Sequence, residues 1–161
     1  MNDKTDMRTL IDIAGGGSRS SYEADEHQWM LEQIALLKAG KLDAVDRENL
    51  VQYLTEMTIR DRRELGNHFV RLLQHLLKYQ VQPGRASRSW ALTVLEQQRQ
   101  IIALLTSTPS LKNYQDKLYA EAYPHAVRAA ATETGVARSR FPAQCPWTIE
   151  QALAFEPPAR R

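Results

Sequence analysis

Cysteine is nearly absent: Cys145 stands alone in 161 residues. A single thiol excludes an internal disulfide and any zinc site built on several thiolates, and it suits a reducing compartment. Long apolar runs are missing too. The longest, 101–105, is five residues, against the roughly 20 that a membrane-spanning helix needs, so no membrane association is expected. The stretch 10–14 is interrupted by Asp12 and runs into Gly15-Gly16-Gly17, which is not the pattern of a secretory leader. A cytoplasmic location follows as the expectation. Those three glycines lack a following Lys-Ser/Thr, so they make no phosphate loop. β-Branched residues are scarce, with Val and Ile at seven each beside 19 Leu and 19 Ala, which argues against a sheet-built core.

What is abundant forms helices. Leu and Ala are joined by 15 Arg and 12 Gln, all favourable in helix interiors except where a cap intervenes. A chain this long buries roughly 68–70% of its unfolded surface as one domain. The expected fold is therefore all-α, a single-domain bundle of about five to seven helices over 21–155. A flexible arm, 1–20, precedes it and a frayed tail, 156–161, follows. The net charge of +2 conceals a division. Residues 1–56 carry 6 basic and 11 acidic side chains, and 57–161 carry 15 and 8. Such a split marks either a docking surface for an anionic partner or pairing within the molecule.

Periodicity and caps outline the elements. Asp25-x-x-Gln28 has capping-box spacing, Tyr22 is placed to brace the entry, and Gly40 supplies a left-handed stop. Trp29, Gln33, Leu36 and Leu37 share the inner face of this first helix. A second helix is predicted over 46–57 with Leu50, Tyr53, Leu54 and Met57 inward, and Thr58-x-x-Asp61 predicts a break. A third helix over 59–80 turns Leu65, Phe69, Val70, Leu72, Leu73, Leu76 and Leu77 to a broad core arc. Arg60, Arg63, Asn67, Arg71, Gln74 and Lys78 fall on the opposite side. Val81-Gln82-Pro83-Gly84 is a turn. A fourth helix, 88–106, is capped by Ser87 or Ser89 and directs Trp90, Ala91, Val94, Ile101, Ile102 and Leu105 inward. Thr108-Pro109 predicts the start of a fifth helix, Pro124 a kink or split in it, and Gly135 its end. Thr148-x-x-Gln151 caps a last short helix.

These pieces resemble a known bacterial family, the one catalogued as domain of unknown function number 29. The likeness is carried by Tyr22-x-x-Asp25-x-x-x-Trp29, Leu36-Leu37, His75-Leu76-Leu77-Lys78 with Gln82-Pro83, and Arg88-Ser89-Trp90-x-x-Thr93. It continues through Ser107-x-Pro109-Ser110-Leu111, Ala122-Tyr123, Glu133-Thr134-Gly135, Phe141-Pro142 and Cys145-Pro146-Trp147-Thr148. It covers roughly residues 22–155. The chain departs from the family pattern at Gln52 and Tyr53, where paired acidic residues are usual. The resemblance implies an all-helical bacterial domain and brings no activity, substrate or cofactor with it.

The chemistry must then come from the residues. Four histidines, His27, His68, His75 and His125, fall on at least three helices with neither Glu-x-x-His nor HExxH spacing, so no metal and no cofactor is expected. Arg63 and His68 resemble the arginine–histidine spacing of some small helical ribonucleases, in which imidazole takes a hydroxyl proton and guanidinium steadies a phosphate. In an Arg-rich helix the same spacing arises from an exposed Arg beside a boundary His. The strongest constellation is the turn 80–89, where His75, Lys78, Arg85, Arg88 and Trp90 converge. A basic loop beside an aromatic can hold phosphates and stack a base; the same residues can simply fasten the turn. Whether His68, His75, Glu133 and Arg88 meet decides between a site and a scaffold. No catalytic set emerges. The function expected is a non-enzymatic interaction or regulatory module with a protein partner. Self-association could run through 10–13 or the small-residue stretch 126–134. The alternative is RNA binding or cleavage at the basic turn.

Overall fold

The structure, a computed structural model, describes residues 20–158; the segment 10–13, the three glycines and residues 159–161 lie outside the described residues. All regular structure among the described residues is helical. The elements are α1 (Ser20–Ala24), α2 (Glu26–Lys38), α3 (Arg47–Val81), α4 (Arg88–Ser107), α5 (Gln115–Thr134) and α6 (Ile149–Leu153). Short 3-10 turns occupy Leu42–Ala44, Pro83–Arg85, Pro109–Asn113 and Arg138–Arg140. The chain divides into two compact units, Met1–Met57 and Thr58–Arg161.

In the first unit, α2 opens as its spacing predicts. The Asp25 carboxylate accepts the Gln28 backbone N–H at 2.9 Å, and Gly40, at φ 67°, follows the helix end. Trp29 is only 1% exposed, with Tyr22 edge-on at 4.7 Å and Tyr53 at 5.9 Å between ring centroids. Asp46 ties the hairpin together. Its carboxylate accepts the Trp29 indole N–H at 3.3 Å, and its own backbone N–H donates to Gln33 Oε1 at 2.8 Å. This polar and aromatic seam is narrow. Leu37, Leu54 and Met57, predicted to face inward, are exposed, because a two-helix hairpin encloses one seam and no more.

The break predicted at Thr58 is absent, and α3 is one helix of 35 residues. An N-cap needs a backbone outside the helical region. Here Arg62, one turn on, instead donates to the Thr58 carbonyl at 3.2 Å and to its hydroxyl at 3.4 Å. Both groups are thus satisfied within a continuing helix.

The second unit packs the rest of α3 with α4, α5 and α6. Leu65, Phe69, Leu72, Leu73, Leu76 and Leu77 are fully buried, as the broad arc predicts. Val94 and Ile101 of α4 and Tyr119, Ala122, Ala126 and Ala130 of α5 join the same core. Ser87 caps α4 by accepting the Trp90 N–H at 3.3 Å, and Thr148 with Gln151 completes a capping box on α6. Ile102, expected inside, is exposed; Gln97 and Gln98 are buried on α4's inner side. Gln98 Nε2 donates to the carbonyls of Ala152 and Phe155 at 3.0 and 2.9 Å, so a polar clamp holds the chain end. One proline expectation is corrected and a second is narrowed. Pro109 starts a 3-10 turn rather than α5, and Pro124 lies within α5 without splitting it. Pro124 and Ala120, whose carbonyl loses its helical donor, are both exposed, so the missing N–H falls on the exposed side of α5, where solvent can substitute for it.

Candidate functional site

The C-terminal end of α3 gathers most of the residues singled out. Amphipathic periodicity stops there: residues 75 to 79 are buried in succession, because α4 and α5 close over what is the polar face further back. Lys78, predicted on that polar face, is 1% exposed. Its ammonium pairs with the Glu133 carboxylate near the end of α5 and sits 4.2 Å from the ring centroid of Trp90 at the start of α4. Gln74 Nε2 donates to the second Glu133 oxygen at 2.6 Å, and Gln82 Nε2 to the Thr134 carbonyl at 3.2 Å. Trp90 in turn meets Tyr79 edge-on at 5.6 Å. One cation thereby fastens three helices.

Charge states follow from these contacts. His75 Nδ1 lies 3.0 Å from the Arg71 carbonyl, an acceptor, so that nitrogen carries the proton. Burial pulls the imidazole below its ordinary 6.5, and nearby Lys78 adds to the shift. Burial by itself would raise the Glu133 carboxyl. The bonds from Lys78 and Gln74 outweigh it and hold the group below the usual carboxylate range. A neutral His75 binds its proton less readily in the folded chain than in the unfolded one. Its contribution to stability is therefore full above about pH 6.5 and lost as pH falls toward its folded value. Denaturant midpoints should drop between pH 7 and 5, and His75→Gln, which keeps a donor for the Arg71 carbonyl, should flatten that drop. An unchanged slope in the variant would contradict the assignment.

The other predicted residues disperse. Arg85 and Arg88 are exposed; Arg88 lines a cleft of about 670 Å³ with Tyr79, Ala91, Leu95, Pro157 and Pro158. The basic-turn constellation is thus divided, with His75 and Lys78 inside, Trp90 half-buried against Lys78, and the two arginines outside. His68 Nδ1 is 2.8 Å from Gln97 Oε1 and its Nε2 3.9 Å from Glu64, whereas Arg63 is exposed. Of His68, His75, Glu133 and Arg88, only His75 and Glu133 share surroundings. Among the described residues, no three His, Cys, Asp or Glu side chains gather as a metal site would require. A second cleft of about 560 Å³ is lined by Gln74, His125, Arg128, Ala129, Thr132 and Glu133. The Cys145 thiol is 3.3 Å from the Trp147 carbonyl.

Sequence reasoning missed the glutamines. Gln74, Gln82 and Gln98 connect elements more than 50 positions apart, and Gln97 reaches back 29 positions to His68. Their only signal is that Gln97 and Gln98 occupy core positions of α4, where periodicity alone reads as an error. At the end of α3, Lys78 and His75 are fastened inside, while His125, Arg128 and Glu133 line the neighbouring cleft. An ammonium covered by an indole and an imidazole whose proton is held by a carbonyl are poorly placed to exchange protons with a substrate.

No helix among the described residues is long and apolar enough to cross a membrane. Neither the curated proteins nor the solved structures include a match to this chain. The model of one family does match, over residues 21–156, the span from the start of the helical region to the end of α6 and just beyond. The chain belongs to the family described as Domain of unknown function DUF29.

Proposed function

We propose that the chain is a non-enzymatic interaction module that docks an amphipathic helix of a partner protein on its first unit. One observation carries this reading. Of eleven large hydrophobic side chains exposed among the described residues, six lie in the first unit: Ile34, Leu37, Leu42, Val51, Leu54 and Met57. Val51 and Leu54 are 65% and 56% exposed, yet at 100° per residue they continue the stripe that further along α3 holds Leu65, Phe69, Leu72 and Leu76. One helical stripe is core over part of its length and open over the rest. Exposed apolar residues in such concentration mark an interaction site.

Charge indicates the flanks of the partner. Residues 20–56 carry eight acidic and three basic side chains, so basic flanks on the docking helix would speed encounter and make it salt-dependent. The test replaces both stripe residues, Val51→Glu with Leu54→Glu. Exposed positions tolerate such changes within about 0.5 kcal/mol each, so the melting temperature should hold. Proteins retained from a native extract by the wild type should be lost by at least about tenfold, which is 1.4 kcal/mol of binding. An identical retained set would overturn the proposal.

A further inference from the structure

The outward face of α4 carries a second apolar stripe, in the other unit and independent of the docking face at Val51 and Leu54. Leu92, Leu95 and Ile102 are each about half exposed. With Arg99 they follow the alternating three- and four-residue spacing of a coiled-coil seam and fall within an arc of about 80°. Val94, Gln98, Ile101 and Leu105 form a separate buried stripe, centred about 110° away around the helix. The seam therefore faces outward along more than two turns of a helix whose inner side is fully committed to the core.

We infer that this seam pairs with the same seam of a second copy, antiparallel, about a two-fold axis at the level of Gln97. The order of residues is self-complementary about that point. Leu92 and Ile102 stand five residues on either side of Gln97, and Leu95 and Arg99 two residues on either side. An antiparallel copy in this register places Leu92 on Ile102 at both ends of the contact. In the middle it places Leu95 against the aliphatic stem of Arg99, twice. An isologous interface requires this reciprocity, in which one patch serves both partners.

The charges fit the same register. A lone arginine in an apolar seam would oppose burial and, near the axis, would repel its symmetry mate. Arg99 does not stand alone. It donates to both oxygens of Glu96, at 2.9 and 2.8 Å, and Gln100 donates to Glu96 as well at 2.7 Å. Glu96 adjoins Leu95, so each carboxylate would lie beside the incoming Arg99 of the other copy. Two acids and two bases then alternate about the axis with no net charge. In a parallel arrangement Arg99 would face Arg99, with no such compensation. Three large apolar side chains per copy make a small contact, of the size that gives reversible, concentration-dependent association.

Sedimentation equilibrium of the full chain, from about 5 to 300 µM, tests the pairing, since small interfaces associate in the micromolar range or weaker. The wild type should show a monomer–dimer equilibrium. Leu95→Glu and Ile102→Glu should each raise the dimer dissociation constant by more than about tenfold without altering the helical circular dichroism signal. Glu96→Arg alone and Arg99→Glu alone should weaken it, and the two together should restore it, because the swapped pair is again self-complementary. In a Cys145→Ser background, a mixture of Leu92→Cys and Ile102→Cys chains should form the mixed disulfide in preference to either homodimer. A chain that stays monomeric throughout that range would overturn the inference. So would a dimer unaffected by Leu95→Glu and Ile102→Glu, failure of the double charge swap to restore association, or preferential Leu92→Cys homodimers. None of these outcomes bears on proteins captured through Val51 and Leu54, so the two proposals fail separately.

Discussion

Phe69→Ala is expected to lower the unfolding free energy by about 3–5 kcal/mol, a large share of the roughly 5–15 kcal/mol that holds a typical domain folded. Phe69 is fully buried at the centre of α3 and meets Tyr119 edge-on, with 5.1 Å between ring centroids. Its truncation removes buried apolar surface and leaves a cavity beside the Tyr119 ring, in a core that relaxes only partially. Urea titration should show a much lower midpoint with little change in slope. The informative comparison is Val51→Ala, on the same stripe of the same helix. Val51 is exposed, so its loss should cost no more than about 0.5 kcal/mol. Equal costs at the two positions would mean that the stripe is covered throughout, and the docking face would vanish with that result.

Glu133→Ala should be the next most damaging change, at about 2–4 kcal/mol. The figure is set below that of a fully buried pair because the Glu133 side chain is 46% exposed. The cost is asymmetric. Removing the carboxylate strands the Lys78 ammonium inside, with only the Trp90 ring and no counter-charge. Lys78→Met removes the cation and leaves a carboxylate that can turn to water, so it should cost less, about 1–2 kcal/mol. Lys78→Met with Glu133→Leu should recover most of the loss, since an apolar pair of similar bulk replaces two groups that had to be desolvated. A double-mutant cycle measures this directly. Equal losses for the two single variants would show that Lys78 is less enclosed than its burial implies.

How much of this could be read beforehand depends on how local each cause is. Caps at Asp25, Ser87 and Thr148 were legible because an N-cap bond spans three residues. The leucine arc of α3 is legible because it repeats over more than three turns. The break at Thr58 was misread since cap-forming and mid-helix threonines have the same neighbours in sequence. Lys78 was placed on the polar face by periodicity and is buried by elements that arrive more than ten and more than 50 residues later. Ile102 is expected on the inner face of α4 beside Ile101 and Leu105; Gln97 and Gln98 hold that face instead, through bonds no local pattern encodes. Of the five residues expected to converge at the 80–89 turn, His75 and Lys78 lie inside, Trp90 covers Lys78, and Arg85 and Arg88 stand outside. That these residues can fasten the turn is legible in the sequence; that the fastening runs through Glu133 is not, because Glu133 lies 55 residues from Lys78.

The contrast along α3 also bears on the charge division seen in the sequence. The acidic first unit has a thin seam, built on Trp29 and Asp46, and several apolar side chains left outside. The basic second unit has a full core, and Lys78 is buried at its edge against Glu133 and Trp90.

The docking claim is tested most directly by a photo-reactive amino acid placed at Leu54 in the full chain and irradiated in living cells, with the exposed polar position Arg71 as control. The account predicts discrete covalent adducts between the Leu54 variant and another protein, lost when Val51→Glu is added, and none from the control. No adduct at Leu54, or the same adducts from both positions, would contradict it.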